Sequence, residues 1–256
     1  MRIAVCVKNA VDETELKISP AGAPALEGAA TKMSTFDKNA VEEAMRMKGA
    51  AGGEVVVFSV GPDDSKKTIK EALAMGADKG IHVSAGLGTL DSLGTARVLA
   101  AAIKRVGGFD VVLCSEGSSD TYTGLVPPML GEALALPYVG YARKIELGKD
   151  AARIERSLEE SIELVECSIP FVASVVSEIN EPRYPTLIQI MQASKKPIEE
   201  IALADLGPAG ISGGNASVLS MTGQSMARKR IVYEGSADEA VDKLIQALAS
   251  EGVLPK

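Results

Sequence analysis

The 256-residue chain predicts an α/β fold, a mostly parallel sheet with helices on both faces. Three observations carry this. Apolar runs at 2–8, 54–60, 81–84 and 110–114 are short and lack the in-out alternation of a half-solvated strand, so they read as strands buried on both sides. Between them, residues 36–48, 65–75 and 91–106 repeat their apolar positions at helical spacing. The two patterns alternate regularly, which is the order that gives a parallel sheet covered by helices.

The first strand, 2–8, leads into 9–28, where Glu15-Leu-Lys-Ile-Ser19 alternates polar and apolar and suggests a short edge strand before Pro20, Gly22 and Pro24 make a turn. Helix 36–48 offers Ala40, Val41, Ala44, Met45 and Met47 as a broad apolar face, with Ser34 or Thr35 placed to cap it. Strand 54–60 stops at Gly61-Pro62, and helix 65–75 closes in Gly76-Ala-Asp78. Strand 81–84 and helix 91–106 lead to 110–114.

That strand breaks into Ser115-Glu-Gly-Ser-Ser-Asp-Thr121, and a helix pattern follows at 124–135. A strand, a small-residue loop and a helix start form an arrangement in which free backbone N–H groups meet a phosphate, aided by the helix dipole. An ordinary βα loop with Ser and Asp as caps would read the same way. The loop holds neither a Walker A Gly-Lys-Ser/Thr nor a G-x-G-x-x-G fingerprint.

Beyond Tyr138, residues 142–147, 152–158, 161–167 and 171–176 read as a hairpin and edge strands extending the sheet. Pro182 and Pro185 keep 181–185 from being helical, and 186–194 reads as a short helix. Residues 207–223 are rich in Gly, Ser and Ala, as in a linker. An amphipathic helix at 237–250, capped by Ser236 and ended by Gly252, closes the chain. The organisation is therefore an α/β domain at 1–206, then a linker and C-terminal arm at 207–256. In such a sheet ligands bind beyond the carboxyl ends of the strands, where the strand order reverses. Residues 8–12, 59–62 and 115–123 stand at that end and are expected to meet there.

A formal net charge of -7 argues against nucleic acid, whose phosphates demand clustered Lys and Arg. No apolar run reaches the roughly 18 residues of a membrane span. Lys8 and Asn9 interrupt the first apolar run too soon for a signal peptide, so a cytoplasmic location is expected. Cys6, Cys114 and Cys167 read as buried free thiols. With His82 as the only histidine, and no C-x-x-C or H-E-x-x-H, a metal site or a Ser-His-Asp triad has little support.

Several pieces together resemble the β subunit of electron-transfer flavoproteins: Val7-Lys8, Phe36-Asp37 with Ala40-Val-Glu-Glu-Ala44, Ser59-Val-Gly-Pro62, Ala72-Leu-Ala-Met-Gly-Ala-Asp78, Asn180-Glu-Pro-Arg-Tyr-Pro-Thr-Leu187 and Lys195-Lys-Pro-Ile198. Their order and spacing span 1–206. The resemblance implies a heterodimer in which the α subunit carries the redox-active FAD and the β subunit binds AMP. Bifurcating members hold a second FAD at that β site and oxidise NADH. By position, nucleotide contacts would fall on Cys6, on Ser34, Thr35, Phe36 and Asp37, and on Val60. The rest would be Ser115, Glu116, Gly117, Ser118, Ser119, Asp120, Thr121, Tyr122, Thr123, Gly124, Leu125 and Val126. The resemblance also makes Glu181, Pro182, Arg183, Tyr184, Pro185, Thr186, Leu187, Ile188, Gln189 and Ile190 a recognition loop for acyl-CoA dehydrogenases, with Leu187 as anchor. It implies a carrier that makes no bonds itself, so no catalytic residue is expected.

The chain also departs from the family pattern. Ser115-Glu-Gly-Ser-Ser-Asp120 stands where Gly, a basic residue, Gln, Ala, Ile and Asp are usual, and Ser34-Thr35-Phe36 replaces Asn-Pro-Phe. Glu116 in place of a cation weakens phosphate attraction unless it points to solvent. Gln192 stands where some relatives have lysine, which puts the dehydrogenase partner in doubt. Asp12-Glu-Thr-Glu15 resembles the matching segment of bifurcating members. A third expectation, from another class, is a lone nucleotide-binding module of the universal-stress type.

Overall fold

In the computed structural model, residues 1–20, 22–86, 90–207, 216–223 and 230–254 are described. The chain forms two units, Met1–Met221 and Thr222–Lys256. The first is built on β1 (Arg2–Cys6), β4 (Glu54–Gly61), β5 (Lys79–Ser84), β6 (Val111–Ser115), β7 (Tyr138–Leu147), β8 (Ala151–Ser157), β9 (Ile162–Ser168), β10 (Phe171–Val175) and β11 (Ile198–Ala202). They make a nine-stranded sheet in the order β11-β5-β4-β1-β6-β10-β7-β8-β9. All neighbours from β11 to β7 are parallel; β8 and β9 are added antiparallel.

Successive side chains on a strand face opposite ways, and two cores follow from this. Ile3, Val5, Val55, Val57, Val111 and Leu113 meet the apolar faces of α1 (Thr35–Ala51) and α2 (Ser65–Met75). Ala4, Cys6, Val56, Phe58, Val112 and Cys114 meet α3 (Ser92–Val106) and α4 (Val126–Leu134). The Asp91 carboxylate caps α3 by accepting from the Gly94 N–H at 2.8 Å. From β1 the chain steps to β4 and β5, and α3 then carries it back past β1 to β6. The order reverses between β1 and β6, so a crevice opens at their carboxyl ends.

Two strand expectations need correction, and one strand was not foreseen. Residues 15–19 form no strand; only an isolated bridge joins Ile18 to Pro24. The alternation there has no core to face, and the prolines withhold ladder donors. The ladder in this region is instead β2 (Asn9–Val11) antiparallel to β3 (Thr31–Met33). β10 is not an edge strand but lies between β6 and β7 with all its residues buried, as its unbroken Phe-Val-Ala-Ser-Val run requires. β11 had no sequence signal, because Ile-Glu-Glu-Ile-Ala lacks the usual strand-forming composition.

A short helix, α5 (Leu187–Ala193), starts with a capping box between Thr186 and Gln189. In the second unit, α6 (Ala237–Ser250) has the same box between Ser236 and Glu239 and leaves Val241, Leu244 and Ile245 exposed along one face. The predicted linker lies partly outside the described residues, at 208–215. Among the described residues no helix is long and apolar enough to cross a membrane.

Candidate functional site

Asp37, in the first turn of α1, is the knot of the crevice. It is only 4% exposed and accepts from the Lys8 backbone N–H at 2.7 Å and from the Ser115 hydroxyl at 2.5 Å. One carboxylate thus ties the end of β1 to the end of β6. Burial pushes its pKa up to about 7, against the pull of the Ser115 and Lys8 hydrogen bonds.

Ser34 occupies the N-cap position of α1, yet its hydroxyl does not cap the helix. It accepts instead from the Ser119 backbone N–H at 3.2 Å, drawing the 115–123 loop onto the start of α1. Lys8 completes the clasp from the other side. Its Nζ lies 2.7 Å from Asp120 Oδ1 and 3.3 Å from the hydroxyls of Ser118 and Thr121. Asp120 also accepts from the Val11 N–H at 3.3 Å. Burial alone would raise the Asp120 pKa, but the hydrogen bonds from Lys8 and Ser118 outweigh it and hold the carboxyl below its ordinary value. Lys8 therefore brings to the loop the cation that Glu116 does not.

Glu116 is half-buried rather than turned fully to solvent, and burial pushes its carboxyl above the usual range against the pull of the nearby Tyr122 hydroxyl. Tyr122 sits in the left-handed region at φ 44°. Its ring lies 5.4 Å from that of Phe36 and directly over Gly117, where a Cβ would come within 2.8 Å of it. Only glycine fits beneath that ring.

The start of α4 is poorer in donors than a strand-loop-helix pattern promises. Pro127 and Pro128 fill two first-turn positions and bring no N–H. The N-cap is Leu125, without a side-chain bond, so neither Ser nor Asp caps this helix. Among the described residues, the N–H groups of Thr123, Gly124, Leu125 and Val126 have no acceptor. The Ser119 hydroxyl oxygen is buried without a partner. These donors, the hydroxyls of Ser118 and Thr121, and the Lys8 ammonium suit a phosphate group, while Phe36 and Tyr122 offer aromatic surface nearby.

Cys6 and Cys114, both buried, each lie one residue beyond Val5 and Leu113, which pair across β1 and β6. A hydrogen bond to Cys6, together with burial, raises the Cys114 thiol well above its ordinary value. Of the three segments expected to converge, 8–12 and 115–123 are hydrogen-bonded together. Val60 lies near the end of β4, at the same side of the sheet, but β1 stands between β4 and β6, and 59–62 makes no bond to the loop. Thr35 is exposed.

A second region lies at 180–191. The Arg183 guanidinium donates to both oxygens of the buried Glu42 at 2.6 and 2.9 Å. Asn180 exchanges hydrogen bonds with Asn39 and donates to Glu43 at 3.1 Å. Burial would raise the Glu42 carboxyl, but Arg183 prevails and lowers it. Beyond these anchors the side chains stand free: Tyr184 is 91% exposed and Leu187 73%, with Ile188, Ile190 and Met191 also exposed. The sequence placed Lys8 at the carboxyl end of the sheet and Glu42 in a family-like stretch without a partner for either, and it gave no role to Asn39 or Met191. Lys8, the first charge after a buried strand, was the one with a readable signal.

The model of the "Electron transfer flavoprotein domain" family matches residues 25–206. An electron transfer flavoprotein subunit beta of Thermoanaerobacterium thermosaccharolyticum is 33% identical over 261 residues, covering 99% of this chain and 100% of the relative. The subunit beta of Clostridium acetobutylicum is 31% identical over 257 residues, with 98% and 99% covered. The "Caffeyl-CoA reductase-Etf complex subunit CarD" of Acetobacterium woodii is 35% identical over 210 residues, with 81% and 80% covered. With a matched family domain over most of its length and full-length likeness to β subunits, the chain belongs to the electron transfer flavoprotein family as a β subunit.

Proposed function

We propose that this subunit holds AMP in the β1–β6 crevice and pairs with an α subunit that carries FAD, in a cytoplasmic heterodimer moving electrons from flavin dehydrogenases to a quinone-linked acceptor. The observation that carries the reading is the cluster of unused donors at 118–126. The buried, unpartnered Ser119 hydroxyl and the free N–H groups of 123–126 want acceptors, and a phosphate supplies them. Ser118, Ser119, Thr121 and Lys8 would hold the phosphate, with Phe36 and Tyr122 beside the base. FAD, when bound by the α subunit, supplies the redox chemistry. This chain's own residues bind, orient and exclude water; none of them makes or breaks a bond. The arm at 207–256 would contact the α subunit. The loop at 181–190, with Leu187 at its tip, would dock the dehydrogenase.

A second reading is favoured by the likeness to CarD, a subunit of a caffeyl-CoA reductase-Etf complex. There the crevice would take a second FAD and the dimer would oxidise NADH. Asp12 and Glu13, both paired with Lys32, lie in the segment this reading invokes. Acid extraction of the co-purified dimer separates the two. One FAD and one AMP per dimer support the carrier, and two FAD the bifurcating form. A flavin-free homo-oligomer on single-chain expression would defeat both and favour the lone-module reading.

A further inference from the structure

Asp63, His82 and Glu200 come from distant parts of the sequence, and the sheet brings them to one spot away from the crevice. In the parallel register, His82 of β5 stands beside Ser59 of β4 on one side and Glu200 of β11 on the other. Asp63 lies in the turn between β4 and α2. A ring nitrogen of His82 and one carboxylate oxygen each from Asp63 and Glu200 lie within 4.8 Å of one another.

The imidazole is fully buried. Its Nε2 lies 3.1 and 3.2 Å from the carbonyl oxygens of Gly61 and Pro62. Carbonyls only accept, so Nε2 carries the proton and Nδ1 keeps its lone pair. Nδ1 has no partner. The hydroxyls of Ser59, next to His82 in register, and of Ser65, beside Gly61, are also buried without partners. Across the carboxylates sits the Lys66 ammonium, 3.2 Å from Asp63 and 2.8 Å from Glu200. The spot already holds one positive charge, but an ammonium accepts no lone pair.

We propose that Asp63, His82 and Glu200 form a site for a divalent first-row transition metal of the zinc type, which Lys66 vacates as the ion enters. One imidazole and two carboxylates are a donor set such ions favour, and a fourth position stays open to water. Waters in that shell would meet the unpartnered serine hydroxyls. Ligand atoms about a tetrahedral zinc stand roughly 3.3 Å apart, given metal–ligand distances near 2.0–2.2 Å. The carboxylates of Asp63 and Glu200 are exposed, and once Lys66 releases them they can turn inward by that difference. The lack of any local ligand spacing around His82 does not count against this site, because strand register rather than sequence spacing assembles it. Metal would clip the edge strand β11 to the turn before α2.

The test is a titration of the full-length, metal-stripped chain, without a polyhistidine tag, using Co2+ followed by Zn2+ in competition. The expected result is one equivalent of cobalt per chain, a visible d–d band displaced by zinc, and a rise in Tm at saturating zinc. Glu200→Gln and Asp63→Asn should each weaken binding about tenfold, and Lys66→Ala should tighten it several-fold. Asp63 and Glu200 are exposed and Lys66 is partly so, so the fold survives all three changes. The proposal is overturned if no saturable band appears, if the E200Q/D63N double variant binds as well as the parent, or if a thiolate charge-transfer band puts the ion on cysteine.

Discussion

Arg183 grips Glu42 through two guanidinium N–H groups, at 2.6 and 2.9 Å, and so fastens the 180–191 segment to the helix whose first turn, at Asp37, knots the nucleotide crevice. The pair is half inside: Glu42 is buried, while Arg183 is 43% exposed.

Arg183→Ala is expected to cost about 1–3 kcal/mol, between the values for exposed and buried pairs, because it strands a buried carboxylate beside a wet opening. Arg183→Lys should recover only part of this, since an ammonium cannot form the two-pronged contact. Urea unfolding gives the cost, and hydrogen exchange should rise selectively over 180–193.

Asp37 makes stability depend on pH in a stated direction. Its folded value of about 7 lies above the ordinary value of about 3.9, so the folded state binds the extra proton. This contribution is full below about pH 4 and is lost as pH rises through about 7. Asp37→Asn removes the titration at nearly constant shape. Relative to that variant, the wild-type urea midpoint should fall between pH 5 and pH 8; parallel profiles would contradict the assignment.

Lys8→Met should lower AMP affinity roughly tenfold, by removing the cation at the loop and leaving Asp120 to repel the phosphate. Adding Asp120→Asn to it should recover part of the loss. Calorimetric titration with AMP on both variants measures the difference.

Leu187→Ala should leave Tm unchanged, because its side chain stands in solvent. If it anchors the dehydrogenase, the lost burial is worth about 1.5–3 kcal/mol, or a ten- to hundredfold rise in the dehydrogenase KM. Steady-state reduction of the dimer by the dehydrogenase checks this.

Much of the architecture is legible in the sequence, for a physical reason. Strands such as Val55 to Phe58 are covered on both faces, so their residues are apolar without interruption, and helices such as α3 must turn one stripe inward. The same rule, applied consistently, would have put Phe171 to Val175 in the middle of the sheet rather than at its edge. β11 stayed hidden because two consecutive exposed glutamates break its apolar pattern and its partner, β5, lies more than a hundred residues earlier in the chain. In the crevice, topology alone brought 8–12 to 115–123. What it could not show was which atoms meet: that the Ser34 hydroxyl would leave its own helix for Ser119, or that Lys8 would reach Asp120. Those bonds span 85 and 112 residues, and no local pattern encodes them. The shortage of amides at α4 was visible all along in Pro127-Pro128.

Because β10 is threaded between β6 and β7, the ribosome delivers the middle of the sheet late. Until Val175 has emerged, the nascent chain carries two open, apolar strand borders with nothing between them, an invitation to pair with a neighbouring polypeptide. Chains interrupted just before Phe171 should therefore gather in inclusion bodies, whereas those ending after Ala202 should stay in solution.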